Sequence, residues 1–144
     1  MRCTRADGFD ALRGLLPPAP RRALVFIDPS YELLSDYTRL VEALQDALRR
    51  FGTGCYLVWY PIVKRSEALE LPQRLLKLDA SRWLRAELRV RAPPAGGYGL
   101  YGSGMFVINP PWTLPASLKE VLPWLAQRLA LDERPSHSLD FQLP

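Results

Sequence analysis

The chain has 144 residues, with 19 Lys plus Arg against 15 Asp plus Glu for a net charge of +4. Hydrophobic residues make up 48% and charged residues 24%, a globular balance that excludes a mostly disordered chain and a fibrous repeat. No run approaches the roughly 18 consecutive apolar residues of a membrane span, and Met1–Gly8 lacks the apolar stretch of a signal peptide. Cys3 and Cys55 are too few for a disulfide framework or a thiolate zinc site, and His137 is the sole His. No metal site is therefore expected, and a reducing cytoplasm is the simplest compartment. Only Lys64, Lys77 and Lys119 of the basic residues are Lys. The positive balance reads either as the footprint of a polyanion partner or as the codon bias of a GC-rich genome.

Residues 8–16 carry apolar side chains at helical spacing, with Asp7 placed to cap them. Pro17, Pro18 and Pro20 stop that helix. Ala23-Leu24-Val25-Phe26-Ile27 is an unbroken apolar run, which predicts a strand buried on both faces. Ser35 or Asp36 is the expected cap of a helix over 36–51, striped by Leu40, Leu44, Ala47, Leu48 and Phe51 and ended by Gly52 and Gly54. A second apolar run, Cys55 to Tyr60, stops at Pro61. Residues 64–78 are helical again, with a start or kink at Pro72. From Trp83 to Arg91 the chain alternates: Leu84, Ala86, Leu88 and Val90 face one way, and Arg85, Glu87, Arg89 and Arg91 form a wet face. A loop over 92–102 leads to a buried strand over 103–109, broken by Pro110-Pro111. An amphipathic helix over 115–130 follows, and the tail adds a short strand near 139–143. The order α-β-α-β-α-β-β-α predicts one α/β domain whose parallel strands are joined by crossovers, with an antiparallel strand near one edge.

Ligands of open parallel sheets bind beyond the carboxyl ends of the strands. That rule selects Asp28-Pro29-Ser30-Tyr31, Trp59-Tyr60-Pro61 and the 92–102 loop. The Asp28 carboxylate and the Pro29 carbonyl are acceptors that could orient an exocyclic amine such as adenine N6, and Tyr31 offers a face for stacking a flipped or single-stranded base. The tetrapeptide reads equally as a strand-ending turn in which Asp28 satisfies local donors. Asn109-Pro110-Pro111-Trp112 is a decoy: it ends an antiparallel strand, so it belongs at the opposite end of the sheet, with Trp112 packed under the last helix. Tyr98 and Tyr101 read as a base clamp or as parts of an ordinary loop, and Trp59 and Tyr60 as pocket wall or core. Gly96-Gly97-Tyr98-Gly99 precedes no helix and is a poor phosphate loop.

The blocks Asp7-Gly8-Phe9, Ala11-Leu12, Ile27-Asp28-Pro29 with Tyr31-Glu32, Asp36-Tyr37, Trp59-Tyr60-Pro61, Ser103-Gly104-Met105, Ile108 to Trp112 and Leu122 to Leu125, in this order and spacing, resemble one family. It is the bacterial 23S ribosomal RNA adenine-N6 methyltransferases of the RlmJ type. The resemblance implies a Rossmann-like class I methyltransferase fold, S-adenosylmethionine (SAM) as cofactor and 23S ribosomal RNA as partner. It implies Asp28, Pro29 and Tyr31 as catalytic residues and Asp7, Gly8 and Asp28 as cofactor contacts; Tyr60, Tyr98 and Tyr101 stay candidate substrate contacts from the reading of the residues alone. Ser30 departs from the family's second proline, restoring a backbone N–H and conformational freedom. The resemblance further implies that residues 1–144 form the C-terminal half of the family's domain, without its first three strands. Residues 23–27 would then be an exposed apolar edge, open to self-association. The reading set against activity is a degenerate homologue that retains RNA binding.

Overall fold

The computed structural model describes residues 3–97 and 99–143. Asp7 caps helix α1 (Gly8–Leu15) as expected, its Oδ1 accepting from the backbone N–H groups of Phe9 at 2.9 Å and Asp10 at 3.3 Å. Strand β1 (Leu24–Ile27) follows, then α2 (Leu34–Arg50) and β2 (Cys55–Ile62). The start of α2 differs from expectation. Its cap is Leu33, which contributes no side-chain bond, and Asp36 lies inside the first turn, where a carboxylate suits the helix dipole. In α3 (Ser66–Leu76) Pro72 neither starts nor ends the helix. It lies buried between Leu71 and Leu75, and that packing offsets its missing N–H.

Strands β3 (Trp83–Arg89) and β4 (Gly102–Ile108) form the expected hairpin, and α4 (Leu114–Arg128) leads to β5 (Ser136–Gln142). The sheet order is β1-β2-β4-β3-β5. Only β1 and β2 pair in parallel. The antiparallel β4 is not near an edge: it sits between β2 and β3, and β5 takes the edge, antiparallel to β3 over seven residue pairs. The tail strand is longer than the expected 139–143 because it pairs along the whole of β3.

Side chains alternate across the sheet and define two cores. Tyr56, Val58, Phe106 and Ile108 pack with Leu40, Leu44 and Leu71 from α2 and α3. On the other face Leu84, Ala86 and Val107 pack with Leu122 of α4. β1 is buried on one face only: Val25 and Ile27 join the first core, whereas Leu24 and Phe26 are 67% and 56% exposed. The expected two-sided burial fails because β1 is an edge strand, with β2 as its one neighbour among the described residues. The expected wet face of β3 fails at Glu87, which is buried. Its carboxylate accepts from the Tyr60 hydroxyl at 2.9 Å and from Arg89 at 2.6 Å. Tyr60, Gly104 and Glu87 stand in one row across β2, β4 and β3. The absent side chain at Gly104 lets the Tyr60 ring lie over the middle strand and reach Glu87. Trp112 is 84% exposed, not packed under α4, because the helix presents Leu118, Leu122 and Ala126 to the sheet side.

Candidate functional site

β1 ends at Ile27 opposite Val58, four residues before the end of its parallel neighbour β2, and the chain leaves it as Asp28-Pro29-Ser30-Tyr31. Two clefts open there. The first, of about 360 Å³, lies along β1 and the starts of α1 and α2, with Asp7, Gly8, Phe9, Asp28, Pro29 and Arg39 among its walls. The second, of about 750 Å³, lies over the end of β2 and the 96–100 loop, with Tyr31, Tyr37, Lys64 and Arg65 among its walls. Ser30 lines both. Asp28 and Pro29 line the first cleft, just before the residue it shares with the second, and Asp28 is exposed.

Asp7 joins cap and cleft. While its Oδ1 holds the start of α1, its Oδ2 accepts from Arg39 at 2.7 Å. That bond, with the Asp10 and Phe9 N–H groups, holds the Asp7 carboxyl below its ordinary range. Arg39 also lies over the Phe9 ring, 5.0 Å from its centroid. Asp36 precedes Arg39 by three residues on α2, so both face the cleft.

Tyr31 has a left-handed φ of 56°, uncommon for a bulky residue. Three contacts hold it there. Its hydroxyl donates to the Trp59 carbonyl at 2.5 Å, Arg65 donates to its carbonyl at 3.1 Å, and its ring leans on Tyr37 with centroids 4.9 Å apart. The ring is 4% exposed, so the open stacking face expected of Tyr31 is closed in this arrangement. Burial, followed by the neighbouring Tyr37 and the charges of Asp28 and Asp36, pushes its hydroxyl well above the ordinary tyrosine range.

The turn thus brings Asp28, Pro29 and Tyr31 together, with Asp7 and Gly8 across the first cleft. Tyr60 and Tyr101 lie elsewhere, in the core, 1% and 6% exposed. Tyr98 lies outside the described residues. Asn109 is at the opposite end of the sheet, as expected of the decoy, where its amide donates to the Gly52 and Gly54 carbonyls at 2.8 Å each. Sequence reasoning missed Arg39, Lys64 and Arg65. The i, i+3 pair Asp36 and Arg39 on the helix after the tetrapeptide was the available signal for the first. Among the described residues no group of three or more His, Cys, Asp or Glu could hold a metal ion.

Residues 1–141 match the family model described as RsmJ, ribosomal RNA large subunit methyltransferase D, RlmJ. The chain is 41% identical over 138 residues to ribosomal RNA large subunit methyltransferase J of Haemophilus influenzae, a match covering 96% of this chain and 49% of that protein. It is 41% identical over 128 residues to the Escherichia coli protein of the same name, covering 89% of this chain and 45% of that protein. The crystal structure of protein LPL1258 from Legionella pneumophila matches with a TM-score of 0.86 at 34% identity, covering 95% of this chain and 50% of that one. The chain spans about half the length of the curated relatives it matches.

Proposed function

Because this chain belongs to the RlmJ family of ribosomal RNA large subunit methyltransferases, we propose that it carries the catalytic turn of a SAM-dependent transfer to adenine N6 of 23S ribosomal RNA. The observation that supports this reading is that Asp28 and Pro29 line the first cleft directly before Ser30, the residue that also lines the second. The first cleft suits the cofactor. Its volume of about 360 Å³ is within the range of small-ligand sites, and its walls combine Phe9, Leu12 and Val25 with the carboxylates of Asp7, Asp28 and Asp36. Apolar side chains and acids together match a molecule that carries an adenine ring, ribose hydroxyls and cationic groups. When bound, SAM supplies an electrophilic methyl group.

The chain's own residues orient the acceptor. The Asp28 carboxylate and the Pro29 carbonyl accept the two N6 protons, which turns the amine lone pair toward the first cleft. No covalent bond to the protein forms. Tyr31 meets the base from the second cleft, and a full stacking contact requires the Asp28–Tyr31 turn to open, since the ring is now covered. Gly8 lines this cleft with open space where a Cβ would stand, which leaves room for a bound ligand. Tyr60 and Tyr101 are buried in the core and line neither of the two clefts. The enzyme works in the cytoplasm, where ribosomal RNA is modified; no helix among the described residues is long and apolar enough to cross a membrane.

The test is incorporation of labelled methyl from SAM into unmodified 23S ribosomal RNA. The chain is assayed alone and together with the N-terminal half of the H. influenzae relative. Asp28→Ala is expected to lower the rate about 100-fold or more, the scale of removing one preorganised polar group from a transition state. Full activity in that variant removes the assignment of Asp28, and absence of N6-methyladenine in every arrangement refutes the reaction. The exposed edge of β1, with Leu24 and Phe26 in solvent, also supports self-association of the isolated chain. Light scattering that shows a clean monomer at all concentrations would exclude it.

A further inference from the structure

A third cavity, of about 270 Å³, lies between α3 and the sheet, walled by Leu69, Pro72 and Gln73 of the helix and by Arg85, Glu87 and Arg89 of β3. It adjoins the second cleft, since Pro61 and Val63 line both. Its volume falls just under the range of whole small-molecule sites, about 300–1,000 Å³, and suits a fragment the size of one nucleobase. Glu87 is the one carboxylate among the described residues lining it. The residue is buried, yet its side chain keeps 11% of its surface open. Oε1 accepts from the Tyr60 hydroxyl and Oε2 from Arg89. A carboxylate oxygen has two lone pairs, so each keeps one to offer. Arg85 turns its Nε and one Nη to Asp140 of β5, and Arg89 turns one Nη to Glu87. A guanidinium carries five N–H groups, so both arginines keep donors.

These groups select a ligand by charge and by its pattern of donors. A cation is repelled by Arg85 and Arg89, and an anion by Glu87. A neutral planar group with two neighbouring donors and an acceptor beside them satisfies both kinds. Among the four RNA bases guanine alone has that edge, with N1–H and the N2 amine side by side and O6 next to N1. Adenine sets an acceptor at N1 against the carboxylate, and the pyrimidines have one donor group each. We infer that this cavity is a guanine subsite, in which Glu87 accepts from N1–H and the N2 amine while an arginine donates to O6. Single-stranded bases are read along this edge in protein–RNA complexes. The inference rests on the methyltransferase reading for its place on RNA. With the target adenine in the second cleft, the shared wall of Pro61 and Val63 sets the guanine on a nearby nucleotide, so the subsite reads sequence context. Tyr60 is a positioning residue: its hydroxyl holds one oxygen of Glu87.

The experiment follows amide signals of the isotope-labelled chain while guanosine, inosine and adenosine 5′-monophosphates are added in separate titrations. The three share ribose and phosphate, so a difference between them belongs to the base, and the comparison needs no altered protein. Guanosine monophosphate is expected to give saturable shifts at Tyr60, Gln73 and Glu87. Inosine monophosphate lacks only the N2 amine and is expected to bind about tenfold or more weakly, the scale of one bond to a charged group. Adenosine monophosphate is expected to leave those signals unmoved. In Glu87→Gln an amide donor replaces one acceptor oxygen, and the preference for guanosine over inosine is expected to fall to about twofold or less. Equal affinities for the guanosine and inosine ligands, shifts confined to other residues, or a preference that persists in the folded variant overturn the subsite, whatever the methylation assay gives. Guanine-selective shifts at Glu87 in a chain that never methylates RNA would uphold the base site and remove the methyltransferase reading instead.

Discussion

Gly104→Ala should destabilise the chain by about 2.5–6 kcal/mol, the sum of overpacking a core and loosening a buried charge-assisted bond. Gly104 has no left-handed φ to protect, so its role is spatial. A Cβ there would overlap Cζ, Cε2 and the hydroxyl of Tyr60. The ring has nowhere to go, being 1% exposed. Forced overpacking costs about 1–3 kcal/mol. Displacing the ring also breaks its bond to the buried Glu87, a bond to a charged group worth about 1.5–3 kcal/mol. Glu87 would keep only Arg89 among its described partners. The assay is urea unfolding of the single variants Gly104→Ala and Tyr60→Ala and of the double variant. Without the ring, the same glycine substitution should be neutral or stabilise by up to about 1 kcal/mol, since alanine loses less backbone entropy than glycine on folding. The coupling between the sites should therefore reach about 2 kcal/mol or more. A Gly104→Ala cost below about 1 kcal/mol, or one that is the same with and without the Tyr60 ring, would refute the reasoning.

The remaining predictions concern the clefts and their supports. Arg39, then the N–H groups of Asp10 and Phe9, hold Asp7 below the 3.8 of an ordinary aspartate. A depressed folded value means that this contribution to stability is complete above the unfolded value and disappears as pH falls through the lower folded one. Following the Asp7 carboxyl by NMR should give a midpoint below 3.8 that rises in Arg39→Met; a midpoint at or above 3.8 in the unaltered chain contradicts the pairing. The Tyr56 hydroxyl donates to the Phe51 and Ala47 carbonyls at 2.7 and 3.3 Å, tying the end of α2 to β2. Tyr56→Phe should lower the unfolding free energy by about 1–2 kcal/mol, and an unchanged urea midpoint would show the bonds to be without net value. Burial also pushes the Tyr56 phenol up to about 12, so its absorbance should not change between pH 8 and roughly 10.

Much of the architecture is carried by local pattern. The apolar stripe of α2, the runs that become β1 and β2, and the alternation of β3 each follow from a period of 3.6 or 2 in the side chains. The cap at Asp7 and the hairpin of β3 and β4 are likewise local, depending on a side chain two residues away or on a proline- and glycine-rich connection that holds no crossover helix. The candidate turn Asp28-Pro29-Ser30-Tyr31 was legible because the ends of parallel strands are where ligands bind, and the resemblance gave its residues roles. Beyond this the signal stops. Nothing local says that Trp112 faces solvent or that Tyr60 lies in the core, since an aromatic side chain suits a pocket, a core or a surface equally well.

By itself the sequence determined the elements, their order, the α/β class and the candidate turn, because each depends on residues near one another in the chain. Only the tertiary structure decided that β4 enters between β2 and β3, since pairing with β2 bridges more than forty residues and no turn sets it. It also decided that Ser30 is shared by two clefts and that Arg39 meets Asp7 across 32 residues. The net charge of +4 with which the chain was first described does not say where the charges gather, and the fold sets Lys64 and Arg65 in one cleft wall beside the end of β2. Such facts concern distance in space, which folding creates by bringing remote segments together.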